Sequence, residues 1–346
     1  MTAASPIPVA NIYYLYCYAW ERFSEGRTLV TGAEDSPDLP NLLARVLLNG
    51  MHSLFRRGLD RAYQPREEEI ATVRGHIELG ASLRLHARNA RRLHCSYDEL
   101  SHDVLHNQIL KAALKRLCTL NRIETVLAVE CRRMVARLHD VSNIRLTQGC
   151  FARIQLHRNN AFYNLLLQVA RLVFENTIPT QDGLGHSFKD VLRDEREMAR
   201  VFEAFVRNFY RAEQSTYRVE PLAIRWDATA LSVGAEDRLP QMRVDVFLRS
   251  QYRQVIIDAK FYAEALQTYQ GASSFRSANL YQLFSYLKNY APRVPAETQL
   301  DGILLYPQVR GAIDAVYDVQ GHNVRLASVD LAQPWPMIAK RLLDLI

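Results

Sequence analysis

The sequence predicts a mixed α+β protein of two domains, on three observations. The chain is 346 residues long, more than one core usually spans and fewer than three need. Its texture changes near residues 150–160: helical spacing dominates before, and further on short apolar strands alternate with helices. Hydrophobic residues make up 48% and charged residues 23%, with 14 Gly and 13 Pro, enough to fill cores and incompatible with a collagen-like or wholly disordered chain. The expected division is an N-terminal α+β domain over 1–158 and a C-terminal α/β domain over 159–346.

Taken in order, the chain opens with an aromatic stretch over 11–20, and a Gly/Asp/Pro loop over 31–40 marks a break. Leu42, Leu43, Val46, Leu47, Met51 and Leu54 recur at three and four, predicting a helix over 41–57 that Gly58 stops. From 59 to 100 the pattern shortens and charges interleave, as in 69–78 and 93–100, which predicts short strands joined by turns. Helical spacing returns over 107–118, 124–138 and 162–175. A helix over 195–211 carries Met198, Val201, Phe202, Phe205, Val206 and Phe209 on one stripe, a face meant for burial. Strands are predicted at 244–248, 255–259, 302–306, 315–319 and 324–328, with helices at 277–290 and 337–345.

Composition removes several function classes. Lys and Arg number 43 against 37 Asp and Glu, and a net charge of +6 is a mild lean toward polyanions, too diffuse for a passive nucleic-acid-binding module. The five cysteines form no C-x-x-C pair, so neither a disulfide framework nor a zinc knuckle is indicated. His102 and His106 stand four apart with no third ligand suggested nearby, and no zinc site is expected. Residues 1–9 carry no Lys or Arg, and the apolar stretches are short or broken by Asn164, Gln168 and Arg171; a cytoplasmic protein without a membrane partner is expected. No G-x-x-x-x-G-K-[ST] loop occurs, so any nucleoside triphosphate dependence must come from a partner.

The chemistry concentrates in residues 242–262. Two strands meet at a tight turn over 250–253, and a hairpin symmetric about Gln251 and Tyr252 sets Asp245 opposite Asp258. Facing carboxylates repel, so such a pair signals a cation between them. Strand alternation puts Lys260 on the face of Asp258 and turns Ala259 away. This set suits magnesium-dependent phosphodiester hydrolysis: Asp245, Asp258 and the Ala259 carbonyl would hold the cation, and Lys260 would orient water or offset charge growing on the phosphate. The competing reading is an exposed Asp–Lys pair at a strand end; the apolar run Val255–Ile257 argues instead for an interior strand opening into a site. On the next helix Gln282 and Tyr286 stand four apart, where an amide and a phenol can touch backbone phosphate or position Lys260. The stretch between, over 264–277, reads as a basic loop.

Asp245 on one strand, Asp258-Ala259-Lys260 on the next and the Gln282-x-x-x-Tyr286 helix resemble the RecB-like branch of the PD-(D/E)xK nuclease superfamily. The resemblance implies a restriction-endonuclease-like α/β domain over 159–346 and a supporting helix glutamate upstream, with Glu197 the candidate and Glu203 the alternative. The chain departs from the pattern where Pro240 precedes Asp245 by five residues and where the second acid is Asp. Over nearly its full length, Ile7–Tyr14 with Tyr18-Ala-Trp20, Arg74-Gly-His-Ile-Glu78, Tyr97-Asp-Glu-Leu100 and Asn107–Lys111, followed by the nuclease motif, resemble the McrC family, nuclease subunits of McrBC modification-dependent restriction systems. That family implies an N-terminal domain docking on a hexameric McrB-like AAA+ GTPase, entering its pore and stimulating GTP hydrolysis. It also implies a C-terminal domain that cuts double-stranded, modified DNA. Candidates for the partner surface are Arg74, Arg84 and Arg88, against the alternative of a solvated charged face. A second functional reading is a non-cutting activator of the GTPase with a degenerate nuclease fold.

Overall fold

The aromatic opening shows no helical stripe because it is apolar around most of its circumference, and in the computed structural model it is a helix buried to match. This is α1 (Val9–Ala19), with Tyr13, Leu15, Tyr16, Cys17 and Tyr18 out of solvent. The structure describes residues 7–30, 36–87, 91–180, 186–233, 235, 238–262, 266–269, 272–308 and 311–346. After α2 (Phe23–Val30) comes α3 (Leu39–Arg57), which ends where Gly58 takes the left-handed φ of +89° that favours glycine.

The next segment is less buried. β1 (Ala62–Ile70) and β2 (His76–Ile77) precede α4 (Leu79–Ala87) and β3 (Leu93–Ser101), and the strands form an antiparallel sheet in the order β1-β3-β2. No residue of β1 is buried. The core lies instead among α5 (Leu105–Leu117), α6 (Thr125–Arg137), α7 (Gln148–Ala152) and α8 (Tyr163–Glu175), α5 packing on both α6 and α8. Asp60 ties the exposed strands to those helices: its Oδ2 accepts from Asn160 at 2.8 Å and lies 2.9 Å from His106 Nε2, while its amide donates to Tyr163 Oη at 2.9 Å. β4 (Thr177–Pro179) and β5 (His186–Phe188) close the segment as a short hairpin.

The remaining elements build a six-stranded sheet. They are α9 (Glu195–Glu213), β6 (Arg218–Ile224), β7 (Met242–Arg249), β8 (Arg253–Ala259), a hairpin of β9 (Leu266–Tyr269) and β10 (Ala272–Phe275), α10 (Ser277–Tyr290), β11 (Gln299–Pro307), β12 (Asp314–Val319), β13 (His322–Val329) and α11 (Trp335–Leu343). The strand order is β12-β13-β11-β8-β7-β6, with β8, β11 and β13 parallel and the others antiparallel. Helices cover both faces, which is why β8 and β11 read as continuous apolar runs. α10 lies over Phe247, Ile256, Leu304 and Leu326, and α9 packs on β7 and β8, where alternation turns Val246, Leu248 and Ile257 the other way. A Cβ on Gly302 of β11 would stand 3.0 Å from Leu283 and Leu287, so the glycine lets α10 settle close.

Two compact units result, one of residues 1–39 with 190–346 and one of 40–189, which differs from the expected 1–158 and 159–346. The reason is packing. The Tyr18 ring meets Phe205 and Phe209 of α9, Asn208 Nδ2 donates to the Tyr18 carbonyl at 2.9 Å, and Asn11 Nδ2 donates to the Leu331 carbonyl at 2.8 Å, so α1 completes the core of the sheet unit. α8, expected downstream of the break, packs on α5. The stretch expected as a basic loop before α10 holds the β9–β10 hairpin. Among the described residues, no helix is long and apolar enough to cross a membrane.

Candidate active site

β8 ends at Ala259, so Asp258 stands at the carboxyl end of the parallel strands, where open α/β sheets place their ligands. β7 and β8 pair Val246 with Ile257 and Phe247 with Ile256, the register of the symmetric turn, and the ladder stops there, one residue short of Asp245 and Asp258. Lys260 Nζ donates to Asp258 Oδ1 at 2.9 Å and lies 3.8 Å from Asp245 Oδ2. The Ala259 amide donates to Asp245 Oδ2 at 3.1 Å. Asp258 is wholly buried, whereas the side chains of Asp245 and Lys260 remain 17% and 18% exposed, so solvent reaches the cluster through these two.

The electrostatics follow from crowding two acids into that space. Burial, and next the charge of Asp258, push the Asp245 carboxyl up to about 6. Burial also raises Asp258, against the pull of Lys260. Burial by itself would lower the Lys260 ammonium, but Asp258 and Asp245 outweigh it and keep it above its usual value, so Lys260 is a cation. Asp258 Oδ2 is buried with no hydrogen-bond donor, an arrangement that calls for a positive partner. No three His, Cys, Asp or Glu side chains gather as a metal cluster among the described residues. A cation here would therefore have two carboxylates and the Ala259 carbonyl, with water completing its shell, an all-oxygen set that suits magnesium.

Two helices bring further groups. On α9, burial and the charge of Asp245 raise the Glu203 carboxyl, and Arg207 Nη1 donates both to Glu203 Oε1 and to the Asp245 carbonyl, each at 3.2 Å. Glu197 sits in the first turn of α9 and pairs with Arg200 at 3.9 Å. Six residues put it about 240° around and about 9 Å along the helix from Glu203. The glutamate that faces the carboxylates is thus Glu203, and Glu197 does not join them. On α10, Gln282 Nε2 donates to Tyr286 Oη at 2.8 Å, and that phenol donates to the Arg243 carbonyl at 3.1 Å. Burial, then Asp258 and Asp245, raise Tyr286 to about 12. Gln282 therefore bonds the phenol rather than Lys260.

Arg74 and Arg84, two of the partner-surface candidates, fall on the 40–189 unit. Arg74 stacks over the Tyr97 ring at 4.1 Å and lies 4.0 Å from Glu99, Arg84 is exposed on α4, and Arg88 lies outside the described residues. Sequence reasoning missed Arg207, whose one local mark is its spacing of four from Glu203.

A mixed sheet flanked by helices, with two carboxylates and a lysine at the end of its parallel strands, is the α/β class the sequence predicted. The family follows from comparison with known proteins. Residues 12–307 match the model of the McrBC 5-methylcytosine restriction system component family. The chain is 32% identical over 339 residues to the type IV methyl-directed restriction enzyme EcoKMcrBC of Escherichia coli strain K12, covering 98% of this chain and 97% of that protein. The chain therefore belongs to the McrBC family, and the resemblance to McrC read from its sequence holds. Its fold also matches a chain from a refined half-complex of the tetradecameric assembly of Thermococcus gammatolerans McrB AAA+ hexamers with bound McrC, at a TM-score of 0.63 and 14% identity, covering 98% of this chain and 76% of that one.

Proposed function

We propose that this chain is the DNA-cutting subunit of a modification-dependent restriction complex, hydrolysing phosphodiesters when assembled with an McrB-like AAA+ GTPase whose hydrolysis it stimulates. The observation that carries the reading is the convergence of the Asp245 and Asp258 carboxylates on the Lys260 ammonium, with the second Asp258 oxygen buried and without a donor. Asp245, Asp258 and the Ala259 carbonyl would hold magnesium, which when bound supplies Lewis acidity and neutralises charge at the phosphoryl group. Lys260, held protonated between the carboxylates, acts as a donor rather than a base and offsets negative charge on the phosphate as water attacks. Tyr286 and Gln282 offer a phenol and an amide beside the site, suited to fixing the DNA backbone. Glu203 supports the site from α9, oriented by Arg207.

The partner assignment is supported by the family, by the absence of a phosphate loop from this sequence, and by the McrB–McrC assembly that shares its fold. For the docking surface, the three-stranded sheet with α4 leaves Tyr63, Val73, Leu79 and Leu83 exposed beside Arg74 and Arg84, an apolar and basic mixture that marks an interaction face. The test is to measure DNA cutting and GTP turnover together, with the AAA+ partner, for the wild type and Asp258→Ala. The variant should keep stimulating the GTPase and lose cutting. Cutting retained by the variant refutes the site; a wild type that stimulates but never cuts assigns the chain to the activator role.

A further inference from the structure

Asp245 pairs in neither neighbouring ladder. Against β6, Glu220 faces Phe247 and Leu222 faces Val244, so Asp245 and Val246 together oppose Pro221 alone. Against β8, the pairing begins only at Val246. This is a β-bulge, and Pro221 accounts for it: lacking an N–H, it cannot donate the ladder bond that would hold Asp245 in line. A bulged residue has its polar groups re-aimed, and here the Asp245 carbonyl and carboxylate both find partners outside the ladder, while neighbouring Arg243, which stays paired with Ala223, is tied to a helix as well. The Asp245 carbonyl accepts from Arg207 Nη1 at 3.2 Å, the Arg243 carbonyl accepts from Tyr286 Oη at 3.1 Å, and the Asp245 carboxylate accepts from the Ala259 amide at 3.1 Å. Arg207 comes from α9 and Tyr286 from α10, so the bulged strand is gripped from both faces of the sheet.

We infer that Arg207 is a positioning residue for the Asp245 carboxylate, acting through the backbone of a bulge that Pro221 creates. The inference deepens the two-carboxylate reading above and rests on it. The same Nη1 that bonds the Asp245 carbonyl also bonds Glu203 Oε1, so one guanidinium joins the helix acid to the strand acid. Remove it, and the carbonyl loses its donor, the bulge relaxes, and the Asp245 carboxylate leaves its place beside Asp258. The fold has less to lose: the Arg207 side chain is 33% exposed and lies off the apolar stripe of α9.

The test is calorimetric titration of the full-length chain with manganese alone, together with thermal melting. Arg207→Ala should bind manganese about tenfold more weakly, as loss of a ligand-orienting group does, at a melting midpoint close to that of the wild type. Arg207→Lys should recover part of the loss, because an ammonium still reaches the carbonyl. Should Arg207→Ala fail to fold, Pro221→Ala carries the test from an exposed position on an edge strand: restoring the N–H should straighten the strand and weaken binding. Unchanged manganese affinity in a folded Arg207→Ala, with binding lost in Asp258→Ala, overturns the inference and leaves the nuclease reading standing. A wild type that binds no manganese overturns both.

Discussion

A buried carboxylate oxygen with no donor is a cost to the fold, and Asp258 carries that cost beside a second acid. An amide at this position removes the repulsion and can donate where the second carboxylate oxygen could not. Asp258→Asn is therefore expected to melt at or above the wild-type midpoint without divalent metal. Magnesium should raise the wild-type midpoint and leave that of the variant unmoved, and cutting should fall by roughly a thousandfold. A variant that melts lower, or that magnesium still stabilises, would place the cation elsewhere. The closeness of the two aspartates and Lys260 was legible in the sequence because a tight hairpin is local: its symmetry fixes the ladder as far as Val246 and Ile257, one residue short of the acids. Glu203 could not be told from Glu197, since both flank the apolar stripe of α9 and only the rotation of that helix on the sheet selects between them. Arg207 and Pro221 act on backbone groups of Asp245 and its strand, which leave no mark in a pattern of side chains.

At the scale of elements, stripes and stops read well and exceptions to periodicity did not. α9 and α3 announce themselves by apolar spacing, and Gly58 ends α3 as expected. α1 escaped because it is apolar nearly all round, α4 because Leu79 and Leu83 face solvent, and β6 because a proline interrupts it. Gly302 measures how closely α10 must sit: Gly302→Val should displace Leu283 and Leu287, cost about 1–3 kcal/mol in urea unfolding and reduce cutting through the shifted Tyr286. The edge of the sheet offers a pH test. Asp314 of β12 accepts from Arg325 Nε and Nη2 at 2.8 and 2.9 Å and from Arg341 Nη1 at 2.8 Å, and these bonds, those from Arg325 foremost, hold its carboxyl well below the usual range. A folded pKa below the unfolded one stabilises above about pH 4 and loses that contribution as pH falls toward the folded value. Asp314→Asn should thus cost about 1 kcal/mol at neutral pH, and its urea midpoint should approach that of the wild type as pH falls from about 4 toward the folded value.

At the scale of the molecule, the chain leaves the sheet unit at residue 39 and returns to it at 190. A change of texture along the sequence could not reveal this, because the first helix belongs by packing to a sheet that begins some two hundred residues later. The consequence is testable by truncation. Residues 159–346 alone lack α1 and expose the Phe205 and Phe209 rings it covers, so this fragment should be insoluble. A chain with 40–189 replaced by a short flexible linker should instead be soluble and melt cooperatively. Equal behaviour of the two fragments would contradict the division. The central claim is that Asp245, Asp258 and Lys260 cut DNA, and the most direct measurement is cleavage of methylated plasmid by the chain assembled with its AAA+ partner, in GTP, with and without magnesium, for wild type and Lys260→Ala at equal assembly. The account predicts cutting by the wild type only with magnesium and none by Lys260→Ala; equal cutting by both proteins, or cutting unaffected by removal of the metal, would contradict it.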